Sequence, residues 1–381
     1  MTPASHQPLL PAARHLFDIP AGIAYFNVAS LAPTLRAGVA AGQRALQRRA
    51  QPWRIGAADW FDGAERRRAL FAQLIGAPAG SVALVPATSY GMAVAATNLP
   101  AGPGQRILVL AEEYPSGVYT WTRFARRTGA TLRTVRREPG QGWADAVLDA
   151  LDERVAVVSV PQVHWIDGAL VDLDRIAPRV RELGAKLVVD ASQSAGAMPI
   201  DVGVLRPDFL VTVGYKWLLG PFGLAYMYVD EVWHEGQPIE ENWILREGSE
   251  EFARLIDYPD AYQPGARRFD VGARTELELT PMAIAALEQL HAWGVANIAA
   301  TLRVVTATIE RHARDRGLGV PAERGAHMLG VHVPDPPRGS LLAALTDADV
   351  HVGARGSALR ISPHLHTSDH DVARLLAALD R

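Results

Sequence analysis

The sequence predicts an α/β fold: a mostly parallel seven-stranded sheet sandwiched by helices, with a smaller C-terminal α+β domain. Three observations predict it. Between about residues 80 and 230, short continuous apolar runs alternate with longer amphipathic segments, the pattern of a parallel sheet covered on both faces. Residues 231–279 break that rhythm and are rich in Trp, Glu, Tyr and Pro. Beyond them, helical and extended patterns alternate again on a smaller scale.

Taken in order, the predicted strands of the first region are Ser81–Pro86, Arg106–Leu110, Thr131–Val135, Val155–Val160, Lys186–Asp190, Phe209–Val213 and Leu224–Val229. Helical segments such as Tyr90–Asn98, Ser116–Arg127 and Asp172–Leu183 separate them. After the loop-rich connection, Thr280 reads as an N-cap with Pro281 in the first helical turn. A second helix is expected from Val295 to about Arg316. Then come a strand near Met328–Val333, a helix near Ser340–Leu345, strands near Val350–Val352 and Ala358–Ser362, and a helix from Ser368 to Asp380. The expected division is residues 1–24 as an N-terminal segment packing on the small domain, 25–265 as the large domain and 266–381 as the small domain.

Composition narrows the function. The 381 residues are 49% apolar and 21% charged, with a net charge of −3, so there is no electrostatic footprint for nucleic acid or an anionic membrane. The absence of cysteine excludes disulfides, thiolate-bound metal and a thiol nucleophile. No secretion signal is read at the N-terminus and no apolar run is long enough for a membrane helix, so a cytoplasmic location is expected.

Chemistry concentrates at two strand ends. Lys216 lies in Val211-Thr-Val-Gly-Tyr-Lys-Trp-Leu-Leu-Gly-Pro-Phe-Gly223, and Asp190 closes Lys186-Leu-Val-Val-Asp190 before Ala-Ser-Gln193-Ser-Ala-Gly. Ligands on such sheets gather at the carboxyl ends of the strands. A lysine able to form a Schiff base, with a carboxylate able to hold a pyridinium protonated, is the minimum apparatus for pyridoxal 5'-phosphate (PLP) chemistry. The plain alternatives are a surface lysine and an aspartate serving as a helix cap.

In these segments, and from about Tyr25 to the C-terminus, the chain resembles the class V aminotransferase family of fold-type I PLP-dependent enzymes. The resemblance implies Lys216 as the Schiff-base residue, Asp190 as the partner of the pyridine nitrogen and Gln193 beside the ring's phenolic oxygen. It implies a phosphate site in Pro86-Ala87-Thr88-Ser89-Tyr90-Gly91, where hydroxyls and free N–H groups open a helix, with Tyr215 reaching the same phosphate. Val213 departs from a serine often found in that motif. Tyr114 matches the residue that stacks on the ring. His164 and Trp165 fall near the reacting centre, where His164 is either a proton shuttle or a structural histidine. Arg360 matches the clamp for the substrate α-carboxylate, and Asn27 and Ala29 match a stretch lining the substrate side.

The segment Gly265–Thr275 resembles the loop that reaches a neighbouring subunit's cofactor phosphate, so a homodimer with composite sites is implied. Ala273 stands where a hydroxyl residue is usual, leaving Arg274 or Thr275 as substitutes. His364, His366 and His370 lack a carboxylate cluster at ligand spacing, and no metal is expected.

The family carries out amino transfer, β-elimination by carbon–sulfur lyases, kynureninase-like hydrolysis, epimerisation and desulfuration. Without a cysteine to accept sulfur, the usual persulfide-forming cysteine desulfurase is disfavoured. Amino transfer from an α-amino acid is the preferred expectation. A PLP-binding pseudoenzyme is the alternative of a different class, opposed by the intact set of Lys216, Asp190 and Arg360.

Overall fold

The computed structural model describes residues 8–334 and 337–380; residues 1–7, part of the expected N-terminal segment, lie outside the described residues. The chain first forms β1 (Ala24–Phe26), then seven strands that share one sheet: β2 (Val82–Val85), β3 (Arg106–Leu110), β4 (Thr131–Val135), β5 (Val155–Pro161), β6 (Lys186–Asp190), β7 (Phe209–Val213) and β8 (Ala225–Val229). Their spatial order is β2-β8-β7-β6-β5-β3-β4. Only β8 runs antiparallel to its neighbours, β2 and β7. β5, β7 and β8 are buried along their whole length, as strands covered on both faces must be. The edge strand β4 is mostly open to solvent.

β9 (Leu329–His332), β10 (Val350–Arg355) and β11 (Ala358–Ile361) build the second sheet, in the order β1-β10-β11-β9. β1 therefore joins the small sheet, parallel to β10, before the chain enters the large one. The segment ahead of it lies against the same elements: Ala13 N–H donates to the Leu365 carbonyl, and Arg14 pairs with Asp371 at 2.6 Å.

Strand boundaries in the large sheet follow the apolar runs, with one-residue differences at the ends of β2, β5 and β8. In the small sheet β9 is one residue shorter at each end than expected, β10 runs three residues further, to Arg355, and β11 ends one residue earlier, at Ile361. The helix expected to start at Pro281 behind a Thr280 cap begins two residues earlier, at Leu279, with Glu278 at its N-cap. Thr280 is not the cap. Its buried hydroxyl donates to the Thr275 carbonyl (2.7 Å), which ties the helix to the preceding loop. Pro281 sits in the first turn, where no backbone N–H is needed. Among the described residues no single helix is long and apolar enough to cross a membrane.

Candidate active site

Parallel pairing sets Pro161 of β5 beside Asp190 of β6, and Asp190 beside Val211 of β7, so the carboxyl ends of the three strands form one rim. Lys216 follows β7 by three residues, on a tight loop. Gly214 N–H donates to the Leu224 carbonyl (2.7 Å) and Gly220 N–H to the Gly214 carbonyl (2.9 Å). Leu219 takes a left-handed φ of 55°, and its N–H reaches the Lys216 carbonyl. Such a backbone is costly for a branched residue, and the loop's own hydrogen bonds hold it. The rim opens into a cavity of about 160 Å³ lined by Lys216, Asp190, Thr88, Ser89, Tyr114, Tyr215 and Gln193, among others.

The electrostatics at the rim are unusual. Burial lowers the pKa of the Lys216 ammonium to about 8, with Arg360 and Arg355 pushing the same way and Asp190 opposing them. Its Nζ lies 5.7 Å from the centre of the Tyr114 ring and 5.8 Å from that of Tyr215. Burial also raises the Asp190 carboxyl above the usual carboxylate range, against hydrogen bonds from Ser192 and the charge of Lys216. Ser192 N–H donates to Asp190 Oδ1 at 2.8 Å. A third ionisable group, Glu113, lines the same cavity, and its carboxyl is raised to about 7 by burial. One of its oxygens accepts from Tyr114 N–H (2.7 Å); the other is sealed from solvent with no partner.

These residues fit PLP. A carboxylate as poorly solvated as Asp190 is penalised while ionised, and a cationic ring nitrogen beside it would remove that penalty. Thr88 and Ser89 begin the helix Thr88–Asn98 on the cavity wall, where unpaired N–H groups and the helix dipole favour a phosphate. The Thr88 and Ser192 hydroxyls share a hydrogen bond of 3.0 Å. Gln193 is held at both ends: its Oε1 accepts from Trp217 Nε1 (2.9 Å) and its Nε2 donates to the Ala29 carbonyl (3.1 Å). One amide hydrogen remains for a ligand. The contact with Gln193 is also what places Ala29 at the site.

Arg360 stands beside the cavity, 1% exposed, donating to the Trp165 carbonyl (2.8 Å) and to Ser30 Oγ (2.6 Å). Asn27 brings its Oδ1 to the same place, buried and without a partner. The amide is close enough that a Cβ on Gly353 would meet it at 3.0 Å and Arg360 Nε at 3.3 Å.

His164 is turned the other way. Val163 and Trp165 line the cavity, whereas the His164 ring stacks on Trp143 (5.2 Å) and its Nε2 faces the Ala111 carbonyl at 3.3 Å. This geometry suits a structural histidine rather than a proton shuttle at the reacting atoms. Arg274 and Thr275 are likewise engaged within their own chain: Arg274 is buried against Glu65 and Asp270, and the Thr275 hydroxyl donates to the Trp60 carbonyl. Neither side chain is offered to a neighbouring subunit here. His364 and His366 are buried while His370 is exposed, and among the described residues no group of three or more potential ligands is arranged for a metal. Ser30, Glu113, Ser192 and Arg355 were not singled out by sequence reading. The signal for Glu113 was an acid at the end of an apolar strand, and for Arg355 its alternation with Arg360 across a hairpin.

The sequence matches the family described as Aminotransferase class-V over residues 56–375. The chain belongs to this family of PLP-dependent enzymes, which includes transferases and lyases, and its cofactor is PLP. It is 28% identical over 325 residues to the uncharacterized aminotransferase YcbU of Bacillus subtilis, covering 82% of this chain and 83% of that one. It is 26% identical to a probable cysteine desulfurase of Streptomyces coelicolor, covering 68% of this chain and 60% of that protein. Other relatives are named kynureninase and isopenicillin N epimerase. A solved structure of a C-DES mutant with glycine covalently linked to PLP superposes with a TM-score of 0.84 at 18% identity, covering 96% of this chain and 98% of the other, which establishes the shared fold. Likeness to the desulfurase branch therefore stands, although this chain has no cysteine.

Proposed function

We propose that the protein acts on an α-amino acid through a covalent bond between Lys216 and PLP, and that it transfers the amino group to a keto acid. The observation that carries this reading is the half-buried Lys216, its ammonium pKa lowered to about 8, facing Asp190 across one small cavity. Bound PLP supplies the electron sink that acidifies the substrate Cα–H.

The chain's own residues do the rest. Asp190 keeps the ring nitrogen protonated. Thr88, Ser89 and Tyr215 hold the phosphate, Tyr114 covers the ring and Gln193 fixes its orientation. Arg360 takes the substrate α-carboxylate through its fork of N–H donors. Asn27 and the Ala29 backbone complete that wall. Once the substrate amine has displaced it from the cofactor, Lys216, its ammonium pKa lowered, carries a neutral fraction near neutrality, so its Nζ takes a proton from Cα and returns one without leaving the site.

Amino transfer is supported by the breadth of the match to a relative named as an aminotransferase. It is also supported by Arg360, which serves amino acid and keto acid alike through the same carboxylate. Carbon–sulfur lyase chemistry is the second reading, supported by likeness to a structure titled as a cystine C–S lyase. A homodimer is part of the proposal. Phe222, 71% exposed at the cavity rim and packed on the Tyr215 ring, supports a covering partner.

Holoenzyme given an amino donor and no acceptor tests the reaction. Stoichiometric conversion of the cofactor to pyridoxamine phosphate, reversed by a keto acid, is expected. Continuous release of ammonia and a keto acid, or of alanine, with the cofactor's spectrum unchanged would replace transfer with lyase or hydrolase chemistry respectively.

A further inference from the structure

The substrate side of the site holds more positive charge than one carboxylate can balance. β10 and β11 form a hairpin in which Gly353 pairs with Arg360 and Arg355 with Ala358. Side chains alternate along a strand, so Arg355 shares a face with Gly353 and therefore with Arg360. Gly353 has no side chain between them, and the two guanidinium groups converge on one hydroxyl. Arg360 Nη2 donates to Ser30 Oγ at 2.6 Å and Arg355 Nη2 donates to the same oxygen at 3.3 Å.

Neither arginine forms an ion pair with an acidic side chain among the described residues. Ser30 is a neutral acceptor, so it relieves hydrogen bonding but not charge. Like charges this close raise each other's energy unless an anion enters between or beside them. Burial and the charge of Arg355 together pull the Arg360 pKa down to about 10, and both guanidiniums act on the Lys216 ammonium. The charge of Arg355 is therefore felt at the reacting end of the cavity. Its guanidinium also lies over the Trp165 ring (5.8 Å to the centroid), and Trp165 is part of the cavity wall. Trp165 in turn is fixed by a 2.7 Å hydrogen bond from its Nε1 to the Glu112 carbonyl.

We propose that Arg355 is a second anion site, and that the substrate is an amino acid whose side chain ends in a second carboxylate. The inference rests on the reading that Arg360 holds the α-carboxylate. Arg360 neutralises the first charge deep in the site. Arg355, half-exposed and further along the same hairpin face, meets the distal carboxylate where it emerges past Trp165. A neutral side chain of the same length would leave Arg355 uncompensated.

Calorimetric titration of the holoenzyme with unreactive acids tests this independently of the reaction type. The probes are straight-chain dicarboxylates from succinate to adipate, each against the monocarboxylate of equal carbon number. For one chain length the dicarboxylate is expected to bind at least about tenfold more tightly, the usual effect of one charged hydrogen-bonded contact. In Arg355→Gln that ratio should fall to near one, and Arg355→Lys should restore part of it. A wild-type ratio near one at every length would overturn the proposal. So would an Arg355→Gln variant that keeps the ratio, or one that weakens both acids equally, since then the two arginines clamp a single carboxylate. Arg360→Gln should weaken both acids together. If it does not, the α-carboxylate reading fails, while the ratios in wild type and Arg355→Gln still decide the role of Arg355. A holoenzyme that proves to be a lyase would show the same ratios.

Discussion

The carbonyl oxygen of Trp217 lies 2.5 Å from where a Cβ would stand on Gly196, which itself adopts a φ of 94°. This contact presses the turn that follows Asp190 against the loop that carries Lys216. The two groups thus reach one cavity because two backbone segments, each closing a different strand, pack without a side chain between them. The Trp217 indole continues the join by donating to Gln193.

Gly196→Ala should therefore destabilise the fold by at least about 2 kcal/mol, because it combines a left-handed φ with a collision against backbone that no side-chain movement relieves. Thermal denaturation measures the loss. PLP retention on a desalting column should fall with it, since Asp190 and Lys216 would no longer be held in register. A variant with wild-type stability would show that the two loops have slack.

Borohydride treatment of the holoenzyme should leave a pyridoxyl group on Lys216, located by peptide mass mapping. Among the described residues Lys216 Nζ has no hydrogen-bond or ion-pair partner, lines the cavity and has a lowered pKa, so it is the nucleophilic amine of the site. The chain's other lysine near this sheet, Lys186, lies at the opposite end of β6 and pairs with Asp208 (3.6 Å). An adduct there would overturn the assignment. Lys216→Ala should lose turnover by several orders of magnitude while the fold persists.

Much of this arrangement was legible in the sequence, and the exceptions have physical causes. The bounds of β3, β6 and β7 follow from apolar runs that had to be buried on both faces. The helix start at Leu279 was missed because Glu278 caps without a side-chain hydrogen bond, so there is no residue signature to read. His164 was placed near the reacting centre because its neighbours are there. In an extended segment adjacent side chains point to opposite sides, and Val163 and Trp165 took the cavity face. Ser30 and Glu113 come from segments far from Lys216 in sequence, and only the folded chain brings them beside it. Arg355 was recoverable: its spacing from Arg360 across a Gly-containing turn already places both on one face.

Asp190→Ala should lower kcat by on the order of 100-fold or more while costing little cofactor affinity, because the phosphate site is built from other residues. A second readout separates this from a general structural defect. Asp190 raises the Lys216 pKa by attraction. Without that carboxylate the Lys216 ammonium should lose its proton more easily, so the acidic limb of the pH–rate profile should move to lower pH. Near-normal turnover with an unmoved profile would leave Asp190 only closing the turn at Ser192.

Three histidines between the two sheets should make stability fall on the acid side. His327 donates from Nε2 to the Gln193 carbonyl (2.5 Å) and packs edge-on against Trp217. His366 donates to the Tyr25 carbonyl, and His364 has no hydrogen-bond partner at either ring nitrogen. Burial lowers their pKa values to about 4, 4 and 3 respectively, with Arg324 and Arg303 near His327, Arg14 near His366, and the rings acting on each other. The unfolded chain takes up these protons near pH 6.5 and the folded chain only well below it. Their contribution is thus present in full above about pH 6.5 and is lost as pH falls toward 4. Glu113, raised to about 7, works in the opposite sense, being most favourable below the ordinary carboxyl range and weakening as pH rises. The raised Asp190 and Glu276 carboxyls act in the same sense as Glu113, and the three histidines outweigh them over this range, so the thermal midpoint should drop from about pH 7 to about pH 5. His364→Phe removes one of the three without breaking a hydrogen bond and should flatten that drop. A variant with the same pH slope as wild type would show that His364 is already protonated in the fold, or that it is not buried in solution.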